Sequence, residues 1–519
     1  SIRQVTDFLE KNQDKHYKLL TTPEGFTKIK EAMQAVDIDM YAECFILFDE
    51  CEKLVQDVHY RDSIREPMND FFRFRDKALI SATPIVPEKD NRFDGFTRVL
   101  IQPDYAYQQK LKLITTNNVL ATLQEVIEAK RGTVCIFCNS IDSIDSFYRL
   151  IPELNNACTF CSEDGQYKLW KGNRRKKSIM ITELERYNFF TSRFYSAVDI
   201  VCKNPPHVIL ISDLYGATQS VIDPATEAIQ IIGRFRGGVN TVTHIASIRP
   251  DLECMSANEI DSWIEGAASI FNGWKKQLAR TSNIGERTLL QEAIGENSYL
   301  PYLDANGKPD PFLIANLYEK EQVKRLYTSA DLLCNAYQQT DYFAFSHEER
   351  LMPVSDNERM AIQHRLAKKK RAQLIVHKLE EMEKMSRATD KKLQKRYQRM
   401  LGNLITTTTD RYLYDCFCRF GGDFIRESDY NENKLRTALN VSSEHTIKQS
   451  GQMKISIQRT FPIDSELSVQ EAKSMLKQVY KKMGLNTERG ITTKELEQYA
   501  EVEKGWKHDN RTIKILKFK

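Results

Sequence analysis

The run Phe45-Ile46-Leu47-Phe48-Asp49-Glu50-Cys51-Glu52 sets two adjacent acids, and a third soon after, at the end of four apolar residues. Such a run predicts an apolar strand, and acids at the carboxyl end of a strand in an α/β domain lie where a triphosphate binds. There the Asp49 carboxylate suits Mg²⁺ and the Glu50 carboxylate suits an attacking water. A solvated turn or a helix N-cap has the same local pattern, so the reading depends on what accompanies it.

The accompaniment comes in a fixed order. Ala78-Leu79-Ile80-Ser81-Ala82-Thr83-Pro84 ends a second apolar run in hydroxyls that can bond the acids. Upstream, Thr21-Thr22-Pro23-Glu24-Gly25 offers hydroxyls and backbone N–H groups at a helix start, which suits a backbone phosphate and equally suits a plain capped turn. Val134 to Ser140 is a strand pattern ending in the polar pair Asn139-Ser140, and Thr191-Ser192 leads on to Asp199. Gln230-Ile231-Ile232-Gly233-Arg234-Phe235-Arg236 follows Asp223-Pro224 and sets two arginines beside a glycine, as arginine fingers on a triphosphate require.

The elements that must position these residues read as parallel α/β layers. Apolar β-rich runs at Cys44–Phe48, Ala78–Ser81, Val134–Cys138, His207–Ser212 and Thr241–Ile248 alternate with helical stretches up to about Pro250. After Arg249 the strand signal fades and helical patterns take over. Ser355 to Glu358 reads as a capping box opening a helix with Leu366, Leu374, Val376, Leu379 and Met382. Capping boxes at Ser468–Glu471 and Thr492–Glu495, a helix end near Gly484 and a strand over Thr512–Phe518 suit either a winged-helix module, with Trp506, Lys507 and Lys514 available to phosphates, or a small packing domain.

The motif order resembles that of helicase superfamily two, the DEAD/DEAH-like family, over about residues 15 to 250. Asp49 to Glu52 is similar to the Walker B motif, Ser81 to Thr83 to the coupling motif, and Gln230 to Arg236 to the arginine-finger motif. Thr22 to Gly25, Asn139 with Ser140, and Thr191 with Asp199 resemble the weaker nucleic-acid and coupling motifs. The resemblance implies two RecA-like parallel-sheet domains, the first incomplete, at residues 1–102 and 103–250. A mainly helical accessory region at 251–455 and the small module at 456–519 would follow. It also implies ATP and Mg²⁺ as cofactors, with Asp49 on the metal, Glu50 on water, and Arg234 or Arg236 on transition-state charge. Glu52, Ser81, Thr83, Asp199, Gln230 and Gly233 would bind or couple to ATP, and Thr22, Pro23, Gly25, Asn139, Ser140, Thr191 and Ser192 would face nucleic acid.

The chain departs from the family at Glu52, where Asp or His is usual, at Arg236, one position early, and at Ala197, where glycine is common. It also contains no Gly-x-x-x-x-Gly-Lys followed by Ser or Thr. Because Ser1 opens directly into a helical pattern, the expectation is a fragment whose parent carries that phosphate loop upstream, and which hydrolyses little by itself. The expected activity of the parent is ATP-dependent DNA helicase or translocase, RNA being the alternative nucleic acid. DNA is preferred because the spacing before Gln230 is similar to that of UvrB-like and restriction-type translocases. The rival is a degenerate motor that only binds nucleic acid or assembles.

Composition sets bounds on these readings. The chain has 519 residues, 41% hydrophobic and 28% charged, with a net charge of only +4, so a nucleic-acid footprint has to come from local clusters. Lys171 to Lys177, with Arg174 and Arg175, is one such cluster, and Lys368 to Arg371 is another; each is read either as a phosphate contact or as a solvated face. Eleven scattered cysteines and no signal-peptide pattern or membrane span predict a reducing, cytoplasmic setting. Cys135-x-x-Cys138 and Cys158-x-x-Cys161 have zinc-site spacing, yet residues three apart on a strand face opposite ways, which favours core packing.

Overall fold

A computed structural model of the chain describes all residues except 13–14, 171–175, 182, 197, 305, 361–366, 387–409, 486, 488–489 and 508–509. The chain is α/β and divides into two compact units, Ser1–Glu358 and Arg359–Lys519.

In the first unit, β1 (Phe45–Asp49) and β2 (Asp76–Ile80) form a two-stranded parallel sheet. Side chains alternate along a strand. Ile46, Phe48 and Leu79 therefore pack on Leu54, Val55 and Phe71, while Phe45 and Leu47 point outward. Phe312 and Leu313 of the helix Pro311–Leu326 complete this core, and Asn316 Nδ2 of the same helix donates to the Val55 carbonyl at 2.8 Å.

The larger sheet has eight parallel strands. They are β3 (Gln109–Thr116), β4 (Val134–Cys138), β5 (Cys158–Phe160), β6 (Lys176–Ser178), β7 (Tyr187–Phe190), β8 (His207–Ser212), β9 (Thr241–Ser247) and β10 (Phe343–Arg350), in the order β10-β3-β9-β8-β4-β7-β5-β6. β4 and β7 are buried end to end, and β8 and β9 nearly so, as parallel strands covered on both faces must be. Cys135, Phe137, Cys158 and Phe160 line one face; Ile136, Cys138, Phe189 and Cys161 line the other. The four cysteines are thus split between opposite layers, so core packing accounts for them, and no metal-holding cluster occurs among the described residues.

The five strands read from the sequence are present with ends shifted by a few residues. β3, β5, β6, β7 and β10 were not among them, and β10 lies past Arg249, inside the stretch read as helical. Its sequence, Phe-Ala-Phe-Ser-His-Glu-Glu-Arg, carries charges because it is an edge strand, bonded only to β3.

In the second unit, Val376, Leu379 and Met382 are buried on the helix Lys368–Ser386. The Ser355 capping box instead caps the short helix Asp356–Met360, and Leu366 lies outside the described residues. The C-terminal module runs helix Gly451–Thr460, β11 (Glu466–Ser468), helix Val469–Lys482, a 3-10 turn Thr493–Gln498, β12 (Ala500–Lys507) and β13 (Asn510–Phe518). Its antiparallel sheet has the order β11-β13-β12. Gly484, at φ 73°, takes the left-handed conformation just past the helix end. No described helix is long and apolar enough to cross a membrane.

Candidate active site

β1 delivers Asp49 to its own carboxyl end, and the chain turns sharply there. Glu50 adopts φ 53°, a left-handed conformation that costs a non-glycine residue about 1–2 kcal/mol. Its backbone N–H is held by Asp49 Oδ1 at 2.9 Å, which fixes the two acids as a pair. Asp49 is exposed, so its carboxylate faces solvent.

Glu52 differs from this pair in being almost wholly buried, 1% exposed. Burial pushes its carboxyl pKa up, and a hydrogen bond from the Ser81 hydroxyl partly opposes the shift. β2, parallel to β1, brings Ser81 and Thr83 to the same end, where Thr83 N donates to Ser81 Oγ at 2.9 Å.

The helix Glu227–Gly233 then reaches across from the larger sheet. Gln230 Nε2 donates both to Glu52 Oε1 and to Thr83 Oγ1, each at 2.8 Å, and all three side chains are buried. The amide therefore joins the acidic strand end, the hydroxyl segment after β2 and the helix that precedes the arginines, residues separated by 178 and 147 positions in the chain. A neighbouring bridge reinforces it: Gln56 Nε2 donates to Thr226 Oγ1 at 3.2 Å and to Glu319 Oε1 at 3.0 Å. Glu52 Oε2 and Gln230 Oε1 are buried with no partner among the described residues.

Both arginines come after the helix: Arg234 is its C-cap and Arg236 lies in the turn beyond. Arg234 Nε donates to the Gln230 carbonyl at 3.0 Å, and Gly233 beside it has open space where a Cβ would sit. Arg236 is exposed and pairs with Asp199 Oδ1 at 2.9 Å, joining two residues that the sequence set in separate motifs.

The residues read as nucleic-acid-facing are more dispersed. Thr22, Pro23 and Gly25 form a 3-10 turn before the helix Phe26–Ala35, and Thr22 makes no side-chain cap. A Cβ at Gly25 would lie 2.3 Å from Thr21 Oγ1, so a larger residue there would need the exposed Thr21 hydroxyl to turn away. Ser140 is buried and uses its hydroxyl to cap the helix Ile141–Leu150, while Asn139 Nδ2 donates to the Gln219 carbonyl. Thr191 Oγ1 donates to the Phe160 carbonyl, and Ser192 is exposed. Arg174 and Arg175, like Ala197, lie outside the described residues. In the Lys368–Arg371 cluster, Lys368, Lys369 and Arg371 are ion-paired with Glu432, Asp429 and Asp410, so these cations knit helices together.

Sequence reasoning placed Glu52 and Gln230 in the site but missed that they meet. It also missed the half-buried acids beside them: burial raises Glu227 to about 8 and Glu319 to about 7. Their signal was weak, since each occupies an ordinary amphipathic helix.

A single carboxylate is compatible with Mg²⁺ brought in by a nucleotide, and among the described residues no cluster of three or more ligands would hold a metal by itself. Asp49 supplies one hard, solvent-facing carboxylate, and Mg²⁺ is commonly held by one or two carboxylates together with substrate phosphates. A scan against known protein families finds no match to the chain, and a search of curated proteins finds no relative.

Proposed function

We propose that this chain supplies the coupling half of a nucleic-acid-dependent ATPase motor of the helicase or translocase type, acting on DNA. The observation that carries the reading is the buried Gln230 amide bonded at once to Glu52 and Thr83. A scaffold that only binds has no need to bury Glu52 just beyond the exposed Asp49 and half-buried Glu50 and then clamp it from a helix of the larger sheet. A motor does, because nucleotide state at Asp49-Glu50 has to alter how the two sheets fit.

In this reading Asp49 would hold Mg²⁺, which when bound supplies charge neutralisation on the phosphates. Glu50, turned out by its left-handed backbone, accepts a hydrogen bond from the attacking water and orients it. Arg236 exchanges its exposed Asp199 partner for developing phosphoryl charge, and Arg234 stiffens the helix end beside it. Gln230 transmits the difference between states, since its two bonds hold only when the helix Glu227–Gly233 lies against the β1 and β2 ends.

The test is DNA-stimulated phosphate release by the full-length gene product. Arg236→Ala is expected to lower the rate about 10³-fold, the lower range for loss of an arginine finger. Equal rates for wild type and for Arg234→Ala and Arg236→Ala would replace the motor reading with that of a binding scaffold.

A further inference from the structure

Among the described residues of the second unit, the most exposed large aromatic side chain lies on the ribbon formed by β12 and β13. Trp506 is 69% exposed there, although tryptophan usually contributes a large area to burial. Its cross-strand neighbour is Arg511, whose guanidinium carbon lies 5.2 Å from the indole centroid.

The ribbon register explains how the pair is displayed. Val502 faces Ile515, Lys504 faces Ile513, and Trp506 faces Arg511, all on the same side of the ribbon. Ile513 and Ile515 are buried in the module core. β11 pairs with β13 only across Thr512–Lys514, so the ribbon continues past the third strand and Trp506 and Arg511 stand beyond it. The face that begins as core therefore ends as an open aromatic–guanidinium platform.

Charge selects the occupant. Residues 500–519 contain six Lys or Arg against three acids. Lys507 and Lys514, which the sequence reading made available to phosphates, are paired with Glu466 and Asp464, and Lys504 is paired with Glu497. Arg511 makes no ion pair among the described residues, and its one described partner is the indole. A cation held over an exposed indole, on a basic ribbon, matches a stacked base with its phosphate alongside.

We propose that Trp506 and Arg511 form a stacking platform for an unpaired base of a single-stranded nucleic acid. This adds a strand contact to the motor reading, but it operates without nucleotide and is tested without it. The full chain is titrated with a short oligothymidylate and, separately, with a blunt duplex of the same length, following tryptophan fluorescence and anisotropy of the labelled strand. Stacking predicts fluorescence quenching that Trp506→Ala abolishes. The same substitution weakens oligothymidylate binding about five- to hundredfold, the range for loss of one stacked aromatic, and leaves duplex binding within about twofold. Trp506→Phe recovers most of the affinity, and Arg511→Ala loses part of it. An unchanged thermal melt for Trp506→Ala verifies folding, as expected for a side chain outside the core. Undiminished oligothymidylate binding by Trp506→Ala overturns the proposal. So does a parallel loss for strand and duplex, which would mark a backbone contact, or no strand binding by wild type, which would assign the platform to a protein surface.

Discussion

Replacing Gln230 with alanine removes one amide that serves two buried acceptors. The Gln230–Glu52 and Gln230–Thr83 bonds are both 2.8 Å, and Gln230, Glu52 and Thr83 are 6%, 1% and 5% exposed, so water does not replace the lost donor without opening the packing. A net hydrogen bond contributes about 0.5–1.5 kcal/mol, and leaving a buried acceptor unpaired costs about 1–3 kcal/mol, which together give about 2–4 kcal/mol. With an unfolding entropy of about 2.1 cal/mol/K per residue, this lowers the melting temperature of the unit Ser1–Glu358 by roughly 3–5 °C. Differential scanning calorimetry of wild type and Gln230→Ala measures it. A double-mutant cycle with Glu52→Ala isolates the pair, with an expected coupling of about 1–3 kcal/mol. Glu52→Gln is expected to be mild, because burial already favours the neutral carboxyl and an amide there can donate to the unpartnered Gln230 Oε1. A melt of Gln230→Ala within about 1 °C of wild type, with coupling below about 0.5 kcal/mol, would refute the claim that this amide joins the two sheets.

Further outcomes follow from the same structure. Glu227 and Glu319 have folded pKa values of about 8 and about 7, above the ordinary 4.5, so the folded state retains protons that the unfolded state has released. Stability therefore falls as pH rises from about 4.5 to about 8 and levels above that, and Glu227→Gln flattens the fall in denaturant midpoints measured across this window; an unchanged slope contradicts the assignment. Asp199→Asn breaks an exposed ion pair, 69% and 52% open at its two side chains, and should change stability by less than about 0.5 kcal/mol in chemical denaturation. Elemental analysis of purified protein should find no stoichiometric zinc, because Cys135 and Cys158 lie on the opposite sheet face from Cys138 and Cys161; one zinc per chain would contradict this placement.

Much of the first unit was legible because its strands are short, apolar and followed by polar residues at the functional end. β4 and β8 carry unbroken apolar runs, Val134 to Cys138 and Val208 to Ile211, that a doubly covered parallel strand accommodates. β10 escaped notice because an edge strand buries one face and tolerates His347, Glu348 and Glu349 in succession. The contribution of Phe312 and Leu313 to the β1 core is a contact across more than two hundred positions, which periodicity does not report. Similarly, local sequence indicated that Glu52 and Gln230 were special but carried no sign of their meeting. Ser140 shows the converse, since a polar residue after a strand carries the same letters whether it faces a ligand or caps a helix, and here it caps.

The account rests on Asp49 and Glu50 being hydrolytic acids, and Glu50→Gln tests this most directly because it keeps the shape of the turn while removing the carboxylate. The measurement is the DNA-stimulated, Mg²⁺-dependent ATP hydrolysis rate of the full-length gene product, with ATP binding followed in parallel. Hydrolysis is expected to fall at least about 10²-fold, in line with loss of a positioned general base, with nucleotide still bound. Hydrolysis by Glu50→Gln at the wild-type rate would contradict that role of Glu50.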